Sequence, residues 1–285
     1  MDAYIIGILA YLAVLTAVGI YKSRAVKTQD DFMVAGRKTS ALFLAGTLVC
    51  TWVGSGSLFG GSGLAFRMGF SMLWMSAGAW VGIALVYFLA DRVRKISQYT
   101  LSDILEKRYN PLARILGTSV VIIAYLTIAG YQFRGGGRLL NILVGMDPQT
   151  GAAVTCLVAI LFTMVAGMVS IIAIDLFNGI MIIVGLLIAL PLAYGSIGGA
   201  AQLSTLPADR FAVFGQEGPV WAMGVFFPTF FLLMGESSMY QKFFAAKDGA
   251  TAKRAVIGMI VGVIFVESAL AILSIIGSSK YLNIA

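Results

Sequence analysis

Three carboxylates fall inside strongly apolar runs of this chain: Asp175, Glu236 and Glu267. Inside a bilayer such a group costs about 3 kcal/mol on insertion scales, so each must pair, reach water or serve a cation. Asp175 follows Gly167 and Ser170 near the start of its run. It either reaches interfacial water or acts as a cation ligand or relay on an exit path. Glu236 lies close to Lys242, and an ordinary ion pair explains it as well as a function does. Glu267 sits in the middle of its run, where it must pair or face a cavity. A second constellation holds Gln132, Arg134, the triplet Gly135-Gly136-Gly137, Arg138 and Asn141. Arg134, Arg138 and Asn141 share one helical face by their i, i+4, i+7 spacing. A guanidinium can clamp a carboxylate with two hydrogen bonds, which makes Arg134 a candidate for recognising an anionic solute. Snorkelling to an interface, or pairing with an intramembrane acid, accounts for it as well.

Bond-making chemistry has no visible machinery. Histidine is absent, which removes the commonest general base and metal ligand. The two cysteines, Cys50 and Cys156, lie in apolar stretches and suggest neither a disulfide framework nor a metal site. No nucleophile elbow is present, so the expectation is a protein that is not an enzyme and needs no resident cofactor.

The elements that must position these residues are membrane helices. Of 285 residues 59% are hydrophobic and only 12% charged, where a soluble domain carries roughly 25% charged. Runs of about 20 apolar residues, enough to cross the hydrocarbon core, recur along the chain. The pattern predicts about eight spans, near 3–21, 41–63, 70–90, 115–145, 152–169, 171–195, 219–241 and 255–278. The first run is preceded only by Asp2 and followed by Lys22, Arg24 and Lys27, the reverse of a cleavable signal.

With the N-terminus outside, the inner loops hold Lys22, Arg24, Lys27, Arg37, Lys38, Arg92, Arg94, Lys95, Lys107, Arg108, Arg114, Lys242, Lys247, Lys253 and Arg254. These are most of the 20 basic residues, and the asymmetry fixes the expected orientation by the positive-inside rule. The net charge of +7 therefore reports topology in a plasma (inner) membrane, not an affinity for nucleic acid. In one inner loop, Thr100-Leu-Ser-Asp103 fits a capping box ahead of an apolar stripe of Leu101, Ile104, Leu105 and Tyr109. A short amphipathic helix is expected there.

Two spans are expected to break. In span two, Gly54-Ser-Gly-Ser57 and Gly60-Gly-Ser-Gly63 sit at bilayer depth, and each glycine costs about 1 kcal/mol against alanine in a helix. Unwound backbone is tolerated there only where it is buried in protein or lines a wet cavity. Close helix packing through Gly56 and Gly60 is the alternative. In span seven, Pro228-Thr229 and Gly235-Glu-Ser-Ser238 interrupt an aromatic-rich run, as a simple proline kink or as a second break. Paired discontinuous helices point to a transporter's midplane site.

Five stretches carry a resemblance to a known family: Asp31-FMVAGRK, Cys50-TWVGSGSLFGGSG, Tyr99-TLSDILEKRY, Ala173-IDLFNG and Gln241-KFFAAKD. In their order and spread the chain resembles the sodium:solute symporter family, which includes bacterial proline, pantothenate, sialic acid and sodium–sugar cotransporters. The resemblance implies an all-α polytopic fold, a partial form of two inverted five-helix repeats. Residues 1–40 would be an extra helix and inner loop, 41–196 the first repeat, and 219–285 the incomplete start of the second. The whole, 1–285, would be a single transporter domain. Members have about thirteen spans, so the last helices of the second repeat are expected to lie outside this chain, which is then expected not to transport by itself.

The resemblance also implies roles. The backbone carbonyls of Cys50 and Val53 would bind sodium, and Asp175 matches an acidic position near a second sodium pathway. Ser57 and Thr229 match solute-facing positions, and Trp52 stands where the proline transporter has an aspartate. With Ser55, Ser76, Gln132 and Arg134 they form the candidate solute set. The expected function is sodium-coupled import of a small polar solute by alternating access, with Na+ as co-transported ion. Proton coupling through Asp175 or Glu267, or a transporter-like sensor, are the alternatives.

Overall fold

In hydrocarbon a backbone must satisfy its own N–H and C=O groups, and helices are the way a chain this apolar does so. The computed structural model describes residues 3–96 and 98–281, so that Asp2 lies outside the described residues. The helices are α1 (Ala3–Ser23), α2 (Gln29–Val34), α3 (Ala41–Trp52), α4 (Ser62–Met68), α5 (Leu73–Ile96) and α6 (Leu101–Arg108). They continue as α7 (Pro111–Val144), α8 (Pro148–Ser196), α9 (Ala200–Leu203), α10 (Gly218–Met234), α11 (Ser237–Ala245) and α12 (Gly249–Tyr281).

Among the described residues six stretches are long and apolar enough to cross a bilayer: Ile5–Ser23, Gly56–Ile96, Pro111–Val144, Gly167–Ser196, Gly218–Ala245 and Gly249–Tyr281. Ala41–Trp52 and Pro148–Met164 are apolar but shorter. Each of the eight expected spans thus appears as apolar helix, the second of them ending early at Trp52. Spans five and six run together as α8, interrupted at Gly167, whose φ of 50° and ψ of 171° are not helical. That positive φ is one that glycine adopts without steric cost.

The chain divides into two units, each assembled from three separated stretches. The first comprises Met1–Leu48, Ala90–Phe177 and Ser237–Ala255, and the second Val49–Leu89, Asn178–Glu236 and Val256–Ala285.

In the first unit, Thr28 and Thr100 cap α2 and α6, each in a reciprocal capping box with Asp31 or Asp103 three residues on. The expected amphipathic helix is α6. The glycine triplet of α7 is a packing surface: a Cβ on Gly137 would lie 2.7 Å from the Ala152 backbone nitrogen, and one on Gly136 would strike Thr155. Three motifs meet at the α2 turn. Arg37 pairs with Asp30 at 3.7 Å and stacks over the Tyr99 ring, whose hydroxyl donates to Asp30. Gln241 donates to the Met33 carbonyl at 3.1 Å, Thr39 bridges to Ala246, and Arg94 Nε donates to the Ala246 carbonyl at 2.6 Å.

In the second unit α5 lies close against α10. A Cβ on Gly78 would collide with the Phe226 carbonyl, and one on Gly82 would come within 2.8 Å of Leu233. The small-residue pair with four-residue spacing that packs two helices here is Gly78 and Gly82. Trp74 Nε1 donates to the Val213 carbonyl at 2.9 Å and its ring stacks on Phe214.

Candidate functional site

Helix α3 ends at Trp52, and Val53 and Gly54 leave helical geometry before the chain resumes at Ser55 as a π-helical turn over Gly56–Gly61. Val53 N still donates to the Val49 carbonyl at 2.9 Å, and Leu58 N to the Gly54 carbonyl at 3.0 Å. The expected interruption is present and narrower than Gly54–Ser57: one irregular step, then a wide turn of the kind often found at functional sites.

Within the same unit the break delivers Trp52 to Glu267 of α12. Glu267 is buried, with 6% of its surface exposed. Trp52 Nε1 donates to its Oε1 at 2.8 Å and Trp80 Nε1 to its Oε2 at 2.9 Å. Ser76, also buried, lies beside the carboxylate, with its Oγ outside normal hydrogen-bond geometry. Ser76 and Trp80 are four apart on α5, so one helix face presents both. Two members of the solute set, Trp52 and Ser76, thus converge on a residue whose partner the sequence did not identify.

In the first unit Asp175 lies against Lys242 of α11. The ammonium is 3.4 Å from Oδ2 and donates to the Thr47 carbonyl at 2.8 Å. Thr47 Oγ1 donates to the same Asp175 oxygen at 2.5 Å. Lys242 keeps only 8% side-chain exposure and Asp175 19%. This corrects the placing of Lys242 in an inner loop: α11 starts at Ser237, and Lys242 is buried in it, as are Tyr240, Phe243 and Phe244. The residue types flanking Lys242, aromatic on both sides, were the available signal. The interfacial reading of Asp175 gives way to an ion pair.

The other candidates are placed as follows. Cys50, Val53, Ser55, Ser57 and Thr229 belong to the second unit, and Gln132 and Arg134 to the first. Thr229 Oγ1 donates to the Val225 carbonyl one turn back, inside an α10 that runs unbroken through Pro228. The interruption of span seven is therefore at Gly235-Glu236 and not at Pro228-Thr229, because a threonine can back-bond to the preceding turn beside a proline. Arg134 is exposed and makes no ion pair among the described residues.

Several long apolar helices among the described residues, two of them interrupted at Val53-Gly54 and Gly235-Glu236, define a multi-pass membrane protein with broken helices. The model of the sodium:solute symporter family matches residues 32–285, and the chain belongs to that family. It is 26% identical over 210 residues to the sodium/pantothenate symporter of Escherichia coli (strain K12), covering 70% of this chain and 44% of that protein. It is 25% identical over 221 residues to high-affinity choline transporter 1 of Drosophila melanogaster, covering 73% of this chain and 34% of that one. Its fold matches the substrate-bound outward-open structure of a Na+-coupled sialic acid symporter with a TM-score of 0.86 at 17% identity. That match covers 99% of this chain and 62% of the other. The chain thus spans less than half the length of these two relatives.

Proposed function

We propose that the protein is a sodium-coupled symporter that imports a small polar solute by alternating access, with the lipid bilayer as its medium and no nucleic-acid partner. The observation that carries the reading is the interruption of α3 at Val53-Gly54 in a chain of this family. Sodium is a hard cation that prefers oxygen, and carbonyls at a helix break supply oxygen without a fixed charge. In this reading the Cys50 and Val53 carbonyls are sodium ligands, and Asp175 belongs to a second cation pathway. Trp52, Ser55, Ser57, Ser76, Gln132, Arg134 and Thr229 face the solute route. Residues 1–40 form the extra helix and inner loop, 41–196 the first repeat and 219–285 the start of the second, within one transporter domain. The N-terminus lies outside the inner membrane, as the basic loops require.

Coupling follows from differential affinity: sodium shifts the conformational equilibrium only by binding better to the state that also binds solute. Trp52, on the last turn before the break, links the two, since ordering the break positions its indole. The relatives' named solutes, pantothenate and choline, differ in charge, so the family alone does not assign the solute. The test is radiolabelled sodium binding to the purified protein in nanodiscs. Saturable binding that potassium does not displace, weakened about tenfold or more by Val53→Pro, is expected. Absence of sodium binding, with solute accumulation driven by a pH gradient alone, would sink the reading.

A further inference from the structure

Glu267 presents an electrostatic account that the contacts so far leave open. Its carboxylate is buried, and both oxygens accept hydrogen bonds, yet both donors are neutral indoles. Hydrogen bonds spread a negative charge without cancelling it, and among the described residues no lysine or arginine pairs with Glu267. A buried carboxylate is ordinarily retained with a cation or where one binds. A further hydroxyl lies beside it: Ser76 Oγ, on a residue 2% exposed, has no partner in normal hydrogen-bond geometry among the described residues. Trp80 belongs both to this group and to a neighbouring cavity that Glu267, Trp52 and Ser76 do not line. Its ring lines a cavity of about 360 Å³ together with Phe70, Trp74, Ala77 and Phe211.

We propose that Glu267, with the Trp52 and Trp80 indoles, forms the recognition site for a small organic cation of the ammonium class, entering through the aromatic cavity. The inference rests on the transport reading and names the solute class for its site. Three properties select that class. An anion is opposed by the fixed carboxylate. Sodium prefers a shell of oxygens, and here each carboxylate oxygen already accepts an indole N–H, with only Ser76 Oγ to add. A substituted ammonium is weakly hydrated and is attracted by the faces of aromatic rings, tryptophan above all. The four aromatic rings of the cavity, the Trp52 indole and one carboxylate suit it on both counts.

The experiment is a titration of intrinsic tryptophan fluorescence, confirmed by calorimetry, on the protein in nanodiscs with sodium present. The probes are tetramethylammonium and a neutral analogue of similar shape, 2,2-dimethylpropan-1-ol. Saturable binding of the cation is expected, at least about tenfold tighter than the alcohol. Glu267→Gln keeps an acceptor for one of the two indoles and removes the charge, and should abolish the preference. Trp80→Phe should weaken cation binding about fivefold. Equal binding of cation and alcohol, no binding of the cation, or an unchanged preference in Glu267→Gln would each overturn the proposal. If Glu267→Gln does not fold, Trp80→Phe decides: unaltered cation binding overturns it. Sodium binding measured on the same samples separates the two readings. If it persists where the cation fails, only the solute class is wrong. If Glu267→Gln instead removes sodium binding, the carboxylate serves sodium and the organic-cation site is refuted.

Discussion

At the scale of single residues, two of the three carboxylates in the apolar runs have opposite solutions. Asp175 has an internal ammonium, and Glu267 has only neutral donors. Removing one partner of a buried pair strands the other, at a cost of about 3 kcal/mol, whereas removing both is far milder. Lys242→Met and Asp175→Asn are each expected to lower the midpoint of thermal unfolding clearly, and the double variant to recover most of the loss. Additive losses in that cycle would show that the pair does not couple. The sequence made legible that Asp175 and Glu267 need partners, since an isolated acid in an apolar run is costly wherever it falls. Which partners was not legible. Lys242 is 67 positions from Asp175 and Trp52 is 215 from Glu267, and nothing local marks a side chain for a helix so distant in sequence. Trp52 is instructive. The resemblance sets it where the proline transporter has an aspartate, and here the carboxylate reappears beside it, carried by α12.

At the scale of elements, what is local was readable and what is tertiary was not. The Thr100 capping box predicted α6 because both its hydrogen bonds close within four residues. The glycine triplet of α7 drew attention to Arg134, but its role is to admit Ala152 and Thr155 of α8. The pair Gly78 and Gly82 passed unnoticed because its meaning depends on which helix arrives opposite. Gly78→Ala would press a methyl group onto the Phe226 carbonyl, and backbone cannot move aside as a side chain can. We expect a loss of about 1–3 kcal/mol, read as reduced thermal stability, with Gly63→Ala, which meets open space, as the neutral control.

The α2 turn also has a pH signature. The hydrogen bond from Tyr99 to the Asp30 carboxylate, followed by burial, raises the Tyr99 phenol above its ordinary 10.0. A raised pKa means the fold favours the protonated form. This contribution is therefore complete below pH 10 and lost as pH climbs through the raised value. Tyrosinate absorbance of wild type minus Tyr99→Phe should show one phenol titrating later than 10.0. A difference spectrum centred at or below 10.0 would contradict the contact.

At the scale of the whole molecule, family and membrane architecture were legible, because charge deficit and five ordered motifs are global properties that survive local misreading. Orientation rests on the basic loops. With Cys50 and Cys156 replaced by serine, Gln216→Cys should react with a membrane-impermeant maleimide on intact cells and Lys247→Cys should not. Reaction at 247 alone would invert the topology. The subdivision into two units was not legible, since it follows no boundary of composition: each unit draws on three stretches of chain.

That interleaving has a consequence for biosynthesis. The first unit begins at the N-terminus yet is completed only by Ser237–Ala255, which brings Lys242 to Asp175, Gln241 to Met33 and the Ala246 bridge to Thr39. A ribosome has therefore made the greater part of the second unit before the first can close. Through that interval Asp175 is without its ammonium, and the α2 turn lacks its late partner. Quality-control proteases that survey membranes for unpaired charge would meet their best substrate in nascent chains arrested before Ser237, and such chains should turn over faster than those released after Ala255.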